Sequence, residues 1–461
     1  MKNILIVSYG NEEAINDNIT LINNINSRNF CMTIASILKF DNKNVKYSLF
    51  DYNNFKVNEK HKHLFYYFFQ DRFINEMSEL VGYVSINNTI EDIWANFYRT
   101  VNFVDYVLDK INPEFIYTGS PDNFFVNLFA KIAESRNIKY FWLEVSYFKN
   151  KSYSFFSSLS YTNDIVKNKI ELQEKNIGNL EKFFTKNVVK SNPLMFKKNN
   201  IKSKIVDNIR YIKSLEEQKK YSKENLMLLP YVSVPFYNIK NKITRLLNGF
   251  KNRKFLNRCF NLEMLKEIKK EKKVLLLALH YQPEAATLSM QPLINDQYYL
   301  IKILSDILPP NYVLVVKEHP LQDTNLRSPY FYERITSKKN VFLIDLNISS
   351  NYLLENNLVD NVATIGGTIG FEEILRRRPP LVFSNIYYSN FKYTFNVELK
   401  NIDNLITRVN EFLNFDYKSV ENDYEEELIK FLKNYDASII KSMEKFEAIE
   451  YVINNNRKFW K

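Results

Sequence analysis

The sequence predicts an α/β protein made of two doubly wound domains joined through a helical insertion. Three observations predict it. Short apolar runs of strand type alternate with helix-type amphipathic stretches over residues 1–150; the rhythm is lost over 151–262; it resumes at Lys272-Lys273. Such alternation implies parallel strands in one sheet with helices on both faces. At 461 residues the chain exceeds what one ordinary core fills, so two domains are expected.

In the first domain (1–150), NILIVSYG (3–10) reads as a buried strand. FCMTIASILKF (30–40) has helical spacing and feeds a strand at NVKYSLFDY (44–52). IEDIWANFYRTVNFVDYVLDKI (90–111) is a long helix, PEFIYTGSP (113–121) a strand, NFFVNLFAKIAESR (123–136) a helix and IKYFWLEVS (138–146) a strand. Residues 151–262 are Lys- and Asn-rich, with the helical stretch DNIRYIKSLEEQKKY interrupted by SNPLM and LPYVSVPFY, and read as a helical insertion and interdomain connection. In the second domain (263–435), KKVLLLALH, YVLVVKEHP, NVFLIDL, NVATIGG and PLVFS are strands. QYYLIKILSDIL, FYERIT, SNYLLENN and IGFEEILRR are the helices between them. A final helix, within 436–461, is expected to pack back on the first domain.

The net charge of +11 is modest for this length and gathers in KNRKFLNR (251–258), KEIKKEKK (266–273) and RRR (376–378). No helix-turn-helix, RNA-binding aromatic signature or zinc-finger spacing accompanies it, so nucleic acid is not the expected partner. An anionic membrane surface, an anionic substrate or plain solvated helix faces suit the charge. Cys31 and Cys259 lie far apart and outside metal-ligand spacing, which fits a reducing compartment and no metal site. No window reaches the roughly 18 apolar residues of a membrane span. The N-terminal apolar run is too short for a signal peptide. The expected location is the cytoplasm, including the inner face of the membrane.

Ligands of doubly wound sheets sit beyond the carboxyl ends of the strands. In the first domain those ends carry Ser8-Tyr9-Gly10-Asn11, Gly119-Ser120-Pro121-Asp122 and Glu144. In the second domain three polar loops follow strands: LHYQPEAAT (279–287), KEHP (317–320) and GGTIGFEE (366–373). Gly366 and Gly367 permit a sharp turn and close approach to a ligand. Thr368 is placed as an N-cap, making the following helix start an anion site, with Glu372 in its first turn available to ribose hydroxyls. Lys317 and His319 share a side by strand alternation and suit a phosphate, with Glu318 pointing away and Pro320 fixing the exit. His280 takes the equivalent place after another strand, followed by Gln282 and by Glu284, a base, a nucleophile or a sugar ligand. For each loop a purely structural turn is the competing reading. His61 and His63, without a carboxylate or Cys at metal spacing, are expected to be solvent-exposed.

Together LHYQPEAAT…DQ, VKEHP and GGTIGFEEILRRRPPLVF resemble the capsule-type polysaccharide biosynthesis glycosyltransferases. That group includes the bacterial β-Kdo transferases and shares a histidine-proline motif with bacterial sialyltransferases. The resemblance spans roughly 272–390 and extends more weakly to INPEFIYTGSPDNFFVNLFAKIAESRNIKYFWLE. It implies a GT-B architecture, two Rossmann-like domains facing a cleft, with the donor nucleotide on the C-terminal one. His319 matches the histidine on the donor phosphate, and Gly367, Thr368 and Glu372 match the loop at the nucleotide. Gln282 and Glu284 face the sugar, and Asp122 or Glu144 serve the acceptor. The substrate implied is a nucleotide sugar, CMP-linked Kdo or a sialic-acid-like keto acid, with a glycan or lipid-linked acceptor and no cofactor or metal. The chain departs from the pattern at Arg376-Arg377-Arg378, where relatives usually place a Gly before the Pro. A nucleotide-sugar epimerase of double-Rossmann fold, or a basic adaptor for nucleic acid or membrane, are the alternatives.

Overall fold

A computed structural model describes residues 2–9, 12–25, 30–36, 38–64, 90–119, 124–145, 152–157, 239–256, 259–282, 296–320, 322, 327, 329–397, 402–440, 444–455 and 459. The expected helical insertion falls mostly outside these residues. The chain divides into two compact units, one drawn from 1–170, 201–239 and 434–461, the other from 171–200 and 240–433.

The first unit holds a seven-stranded sheet. Its strands are β1 Lys2–Ser8, β2 Phe30–Ser36, β3 Val45–Ser48, β4 Phe115–Thr118, β5 Lys139–Val145, β6 Tyr153–Phe156 and, from the C-terminal segment, β13 Ile439–Ile440. Their order is β13-β6-β5-β4-β1-β2-β3, parallel from β3 to β5, with β6 and β13 antiparallel. Strand alternation splits the core in two. Leu5 and Val7 pack with the helices Ile90–Ile111 and Phe124–Ser135, while Ile4 and Ile6 pack with Leu21 and Ile22 and with the C-terminal helix Lys445–Asn454.

The second unit holds six parallel strands: β7 Lys273–Ala278, β8 Tyr312–Lys317, β9 Val341–Leu343, β10 Asn361–Thr364, β11 Leu381–Val382 and β12 Phe395–Asn396. Their order is β12-β11-β10-β7-β8-β9. Leu275 and Leu277 join one core and Val274 and Leu276 the other, the signature of a strand buried on both faces. The fold class read from the sequence therefore stands: two doubly wound units.

Two local readings change. FCMTIAS is strand β2, paired in register with β1 from Lys2↔Phe30 to Ser8↔Ser36, and not a helix. The helix between β1 and β2 is Glu12–Asn24, a polar, Asn-rich stretch. Helix ends are also unusual. With only 8 glycines in the chain, left-handed residues just past helices are Asn112, Asn137 and Asn357, the one common substitute for Gly there. The fourth is Arg377 (φ 61°), within the Arg376-Arg377-Arg378 run. Its guanidinium is held by Glu425 through two bonds of 2.6 and 2.8 Å and by Leu375 O at 2.7 Å, which offsets the backbone strain.

The segment after β3 is strapped to the Ile90–Ile111 helix by residues at i, i+3 and i+6. Arg99, 1% exposed, donates to the carbonyls of Leu49, Phe50 and Tyr52 at 2.7, 3.2 and 2.6 Å. Asn102 donates to those of Asn54 and Lys56. Asp105 meets His61 Nε2 at 2.9 Å and Arg136. His61 is thus buried on a carboxylate, contrary to the exposure expected for it, whereas His63 is exposed. Burial alone raises the Asp105 carboxyl, but His61 and Arg136 outweigh it and hold it well below the usual range. Arg99→Ala leaves three carbonyls without their donor and is expected to cost roughly 3 kcal/mol in denaturant unfolding. A loss within experimental error would contradict this account of the strap.

Candidate functional site

In the second sheet the chain runs outward from β7 to β8 and β9, then returns to lay β10 on the other side of β7. Strand order reverses between β7 and β10, and loops leaving the two carboxyl ends diverge there, opening the crevice in which doubly wound sheets bind ligands. The three polar loops read from the sequence follow β7, β8 and β10, three adjacent strands.

One buried network joins them. Glu318 is 0% exposed and accepts from Arg327 Nε and Nη2, each at 2.9 Å, from Tyr332 Oη at 2.8 Å and from the His319 N–H at 2.7 Å. Arg327, 4% exposed, continues to the His280 carbonyl at 3.1 Å and to Gln282 Oε1. Two glutamine side chains then act as local strand partners. Gln297 accepts from the His280 N–H at 2.9 Å and donates to its carbonyl at 3.0 Å. Gln322 does the same for Gln282 at 2.7 and 3.2 Å. The backbone of 280–282 is thereby fixed from both sides.

Across the strand-order reversal, His280 Nε2 accepts the Gly366 N–H at 3.2 Å, which requires that nitrogen to carry no proton. A Cβ at Gly366 would overlap Ser384 Oγ, a buried hydroxyl with no hydrogen-bond partner among the described residues. Gly367 donates to Thr364 Oγ1 at 2.9 Å, and its carbonyl accepts from Tyr388 Oη at 2.6 Å. Gly370 packs under the same tyrosine, where a Cβ would lie 2.6 Å from the hydroxyl.

The helix Thr368–Leu375 begins one residue earlier than expected: Gly367 is the N-cap, and Thr368 is the first helical residue, exposed to solvent. The N–H groups of Thr368 and Ile369 have no carbonyl one turn earlier within the helix, and the positive dipole end lies there. Glu372 is in the second turn rather than the first, on the face of Thr368. Burial pushes its carboxyl up to about 7, with Glu373 adding to the rise and Arg376, at 3.6 Å, opposing it.

His319 is half-exposed, its ring edge-on to Tyr281 at 5.9 Å. Lys317 is a correction to the expected phosphate pair. It is 4% exposed, its ammonium donates to the Leu346 carbonyl at 3.0 Å, and burial pushes it down to about 8. Glu284 and Asp122 lie outside the described residues. Glu144 is half-buried on β5 of the other unit. The residues missed from the sequence are Arg327, Tyr332, Gln322 and Tyr388, while Gln297, the last residue of LHYQPEAAT…DQ, is found bracing His280. The available signal was Glu318 itself, because a carboxylate directly after a buried strand, if buried with it, demands a buried cation.

No protein-family model matches the chain, and no curated protein matches it. Solved structures with some likeness include the UDP-GlcNAc 2-epimerase of Methanocaldococcus jannaschii in complex with UDP-GlcNAc and UDP. It shows 14% identity over 90% of this chain and 94% of that one, with a TM-score of 0.27. The β-Kdo 2,7-transferase KpsC of Thermosulfurimonas dismutans shows 13% identity over 67% and 79%, TM-score 0.29. A UDP-forming α,α-trehalose-phosphate synthase of Burkholderia vietnamiensis shows 10% over 99% and 100%, TM-score 0.35. These neighbours are nucleotide-sugar enzymes, glycosyltransferases and epimerases alike.

Glu318→Gln removes one member of a buried ion pair and is expected to cost about 3–5 kcal/mol in chemical denaturation, with Glu318→Leu/Arg327→Met recovering part of it. A single-variant loss below about 1 kcal/mol would contradict the network. The raised Glu372 carboxyl also has a pH consequence. Between the ordinary value of 4.5 and about 7 the folded state holds a proton the unfolded chain has released, so stability falls as pH rises through that window. Glu372→Gln is expected to flatten that slope, a difference on the order of 3 kcal/mol read from unfolding at pH values on either side. An unchanged slope would refute it.

Proposed function

We propose that the protein is a nucleotide-sugar-dependent glycosyltransferase of surface-polysaccharide biosynthesis, with its donor site at the β7/β10 reversal of the second unit. The observation that carries the reading is the His280–Gly366 bond, which ties the QPE-bearing loop to the glycine loop beside an open helix start. The Glu318–Arg327 pair holds the KEHP loop to the same edge. Backbone N–H donors in a fixed position suit a phosphate group, and the crevice at a strand-order reversal is where a nucleotide fits.

Breaking the bond between sugar and phosphate puts negative charge on the departing phosphate oxygens. Donors already aimed at that charge stabilise the transition state without reorganising. Here the Thr368 and Ile369 N–H groups take that role, with His319 as a second donor. The His319 N–H is bonded to Glu318, and its half-exposed ring lies edge-on to Tyr281. Glu372 is assigned to the ribose hydroxyls. The acceptor hydroxyl must lose a proton, and Glu284 or Asp122 is the assigned base. In this reading the donor is a CMP-linked keto acid such as Kdo or a sialic-acid-like sugar, from the histidine-proline resemblance. The acceptor is a glycan or lipid-linked sugar, and no metal or cofactor takes part. The work is done in the cytoplasm. Among the described residues no helix is long and apolar enough to cross a membrane.

The test is nucleotide stabilisation measured by thermal shift with CMP, UDP and GDP, on wild type, His319→Ala and Thr368→Asp. Asp at the exposed first helical position complements the dipole, so Thr368→Asp should melt no lower than wild type. It should nevertheless bind nucleotide roughly tenfold or more weakly, because its charge repels the phosphate. CMP should stabilise wild type most, by about 2.7 kcal/mol at a hundredfold excess over Kd. Stabilisation by UDP or GDP alone would overturn the keto-acid donor. Equal nucleotide binding by Thr368→Asp would overturn the site. Release of an altered sugar from its nucleotide without any acceptor would mark an epimerase instead.

A further inference from the structure

The sequence carries three basic stretches, and they meet different fates. In 376–378, Arg377 is bound by Glu425, and Arg376 and Arg378 by Glu373 at 3.4 and 3.0 Å. In 266–273, Lys269 pairs with Asp360 and Lys270 with Glu267, Lys272 donates to the Pro310 carbonyl, and Lys273 lies over the Tyr312 ring. These cations are neutralised or occupied within the second unit. In the third stretch, Lys251 and Lys254 are not, among the described residues.

It belongs to the helix Ile239–Leu256, whose two faces do opposite things. Gly249, Asn252, Phe255 and Leu256 turn inward: Asn252 is fully buried, donating to the Arg327 carbonyl at 3.0 Å, and Phe255 and Leu256 pack on the core beside β7. The opposite face carries Leu247, Phe250, Lys251 and Lys254, at i, i+3, i+4 and i+7, all exposed. Leu247 is 56% and Phe250 67% exposed, the largest exposure of any described large apolar side chain. The Arg253 guanidinium lies 5.6 Å from the Phe250 ring. Among the described residues, neither Lys251 nor Lys254 has an ion-pair or hydrogen-bond partner.

We propose that this face docks on an anionic phospholipid surface, with Leu247 and Phe250 entering the headgroup boundary and Lys251, Arg253 and Lys254 on the lipid phosphates. Two large apolar side chains flanked by unpaired cations on one helix face are what an interfacial helix needs. A nucleic acid would use the cations but leaves the aliphatic Leu247 without a partner. The inner helix face is bonded to Arg327, the residue that holds the KEHP loop. Docking therefore fixes the second unit's candidate site relative to the bilayer, where a lipid-linked acceptor would lie. The docking itself does not depend on the donor reading.

The test is co-sedimentation with vesicles of phosphatidylcholine containing a quarter phosphatidylglycerol, and with vesicles of phosphatidylcholine alone, without nucleotide. Wild type should bind the anionic vesicles and not the neutral ones. Lys251→Ser/Lys254→Ser should bind roughly 10–30-fold more weakly, since each cation near such a surface is worth about a fivefold change in partition. Phe250→Ser should also bind more weakly, and its remaining binding should vanish at lower salt than that of wild type. All three side chains are exposed, so both variants should melt with wild type. Failure of wild type to bind anionic vesicles, or undiminished binding by either variant, overturns the proposal. Displacement from vesicles by a single-stranded oligonucleotide that binds more tightly overturns it in favour of nucleic acid. Because no nucleotide is present, either failure leaves the donor-site experiment standing.

Discussion

A carboxylate shut off from water must be answered by a cation and by every donor within reach, and Glu318 is that carboxylate. It lies just past β8, and its partners come from the chain beyond: the N–H of His319 next to it, Arg327 further on, and Tyr332 in the following helix. Unpaired, such a charge costs several kcal/mol, so the loop cannot leave this arrangement cheaply. Arg327 then spends its remaining donors on His280 and Gln282, which ties the loop after β7 to the loop after β8. His280 in turn reaches Gly366 after β10. Three loops are thus held by one ion pair, with a solvent-facing histidine and an open helix start left at the rim.

The consequence for function is preorganisation. The groups that would meet a phosphate, the first N–H groups of the Thr368–Leu375 helix, are backbone groups whose position is set by Tyr388 on the Gly367 carbonyl and by Thr364 on the Gly367 N–H. Lys317, the most obvious cation in the stretch, is used to close the end of the sheet through Leu346. In the proposed donor site the electrostatic work at the rim is therefore assigned to backbone dipoles and His319. The same economy is visible in the charge distribution. The arginines of 376–378 and Lys269, Lys270, Lys272 and Lys273 are occupied within the second unit, whereas Lys251 and Lys254 on the outer face of the Ile239–Leu256 helix have no partner among the described residues.

Much of the fold was legible because buried parallel strands are continuous apolar runs, and β1, β4, β5, β7, β8 and β10 read as such. The error at β2 has the same origin: a short buried run such as FCMTIAS satisfies helix and strand patterns alike, and pairing with β1 decides it. The helix Glu12–Asn24 was missed because its Asn and Asp residues are poor helix formers that favour turns in isolation. For the site, the loops were legible and their ties were not. Nothing in spacing couples residue 318 to 327, or 280 to 297. Those links exist only once the sheet has brought the strand ends together. The burial of Lys317 was hidden too, since a lysine at a strand end looks the same in sequence whether it faces the ligand or a carbonyl.

The most direct test of the central claim is a crystal structure of the protein grown with CMP. The account predicts the phosphate at the start of the Thr368–Leu375 helix, accepting from the Thr368 or Ile369 N–H at about 3 Å, with the His319 ring turned toward it. A nucleotide bound elsewhere, with this helix start left to solvent, would contradict it.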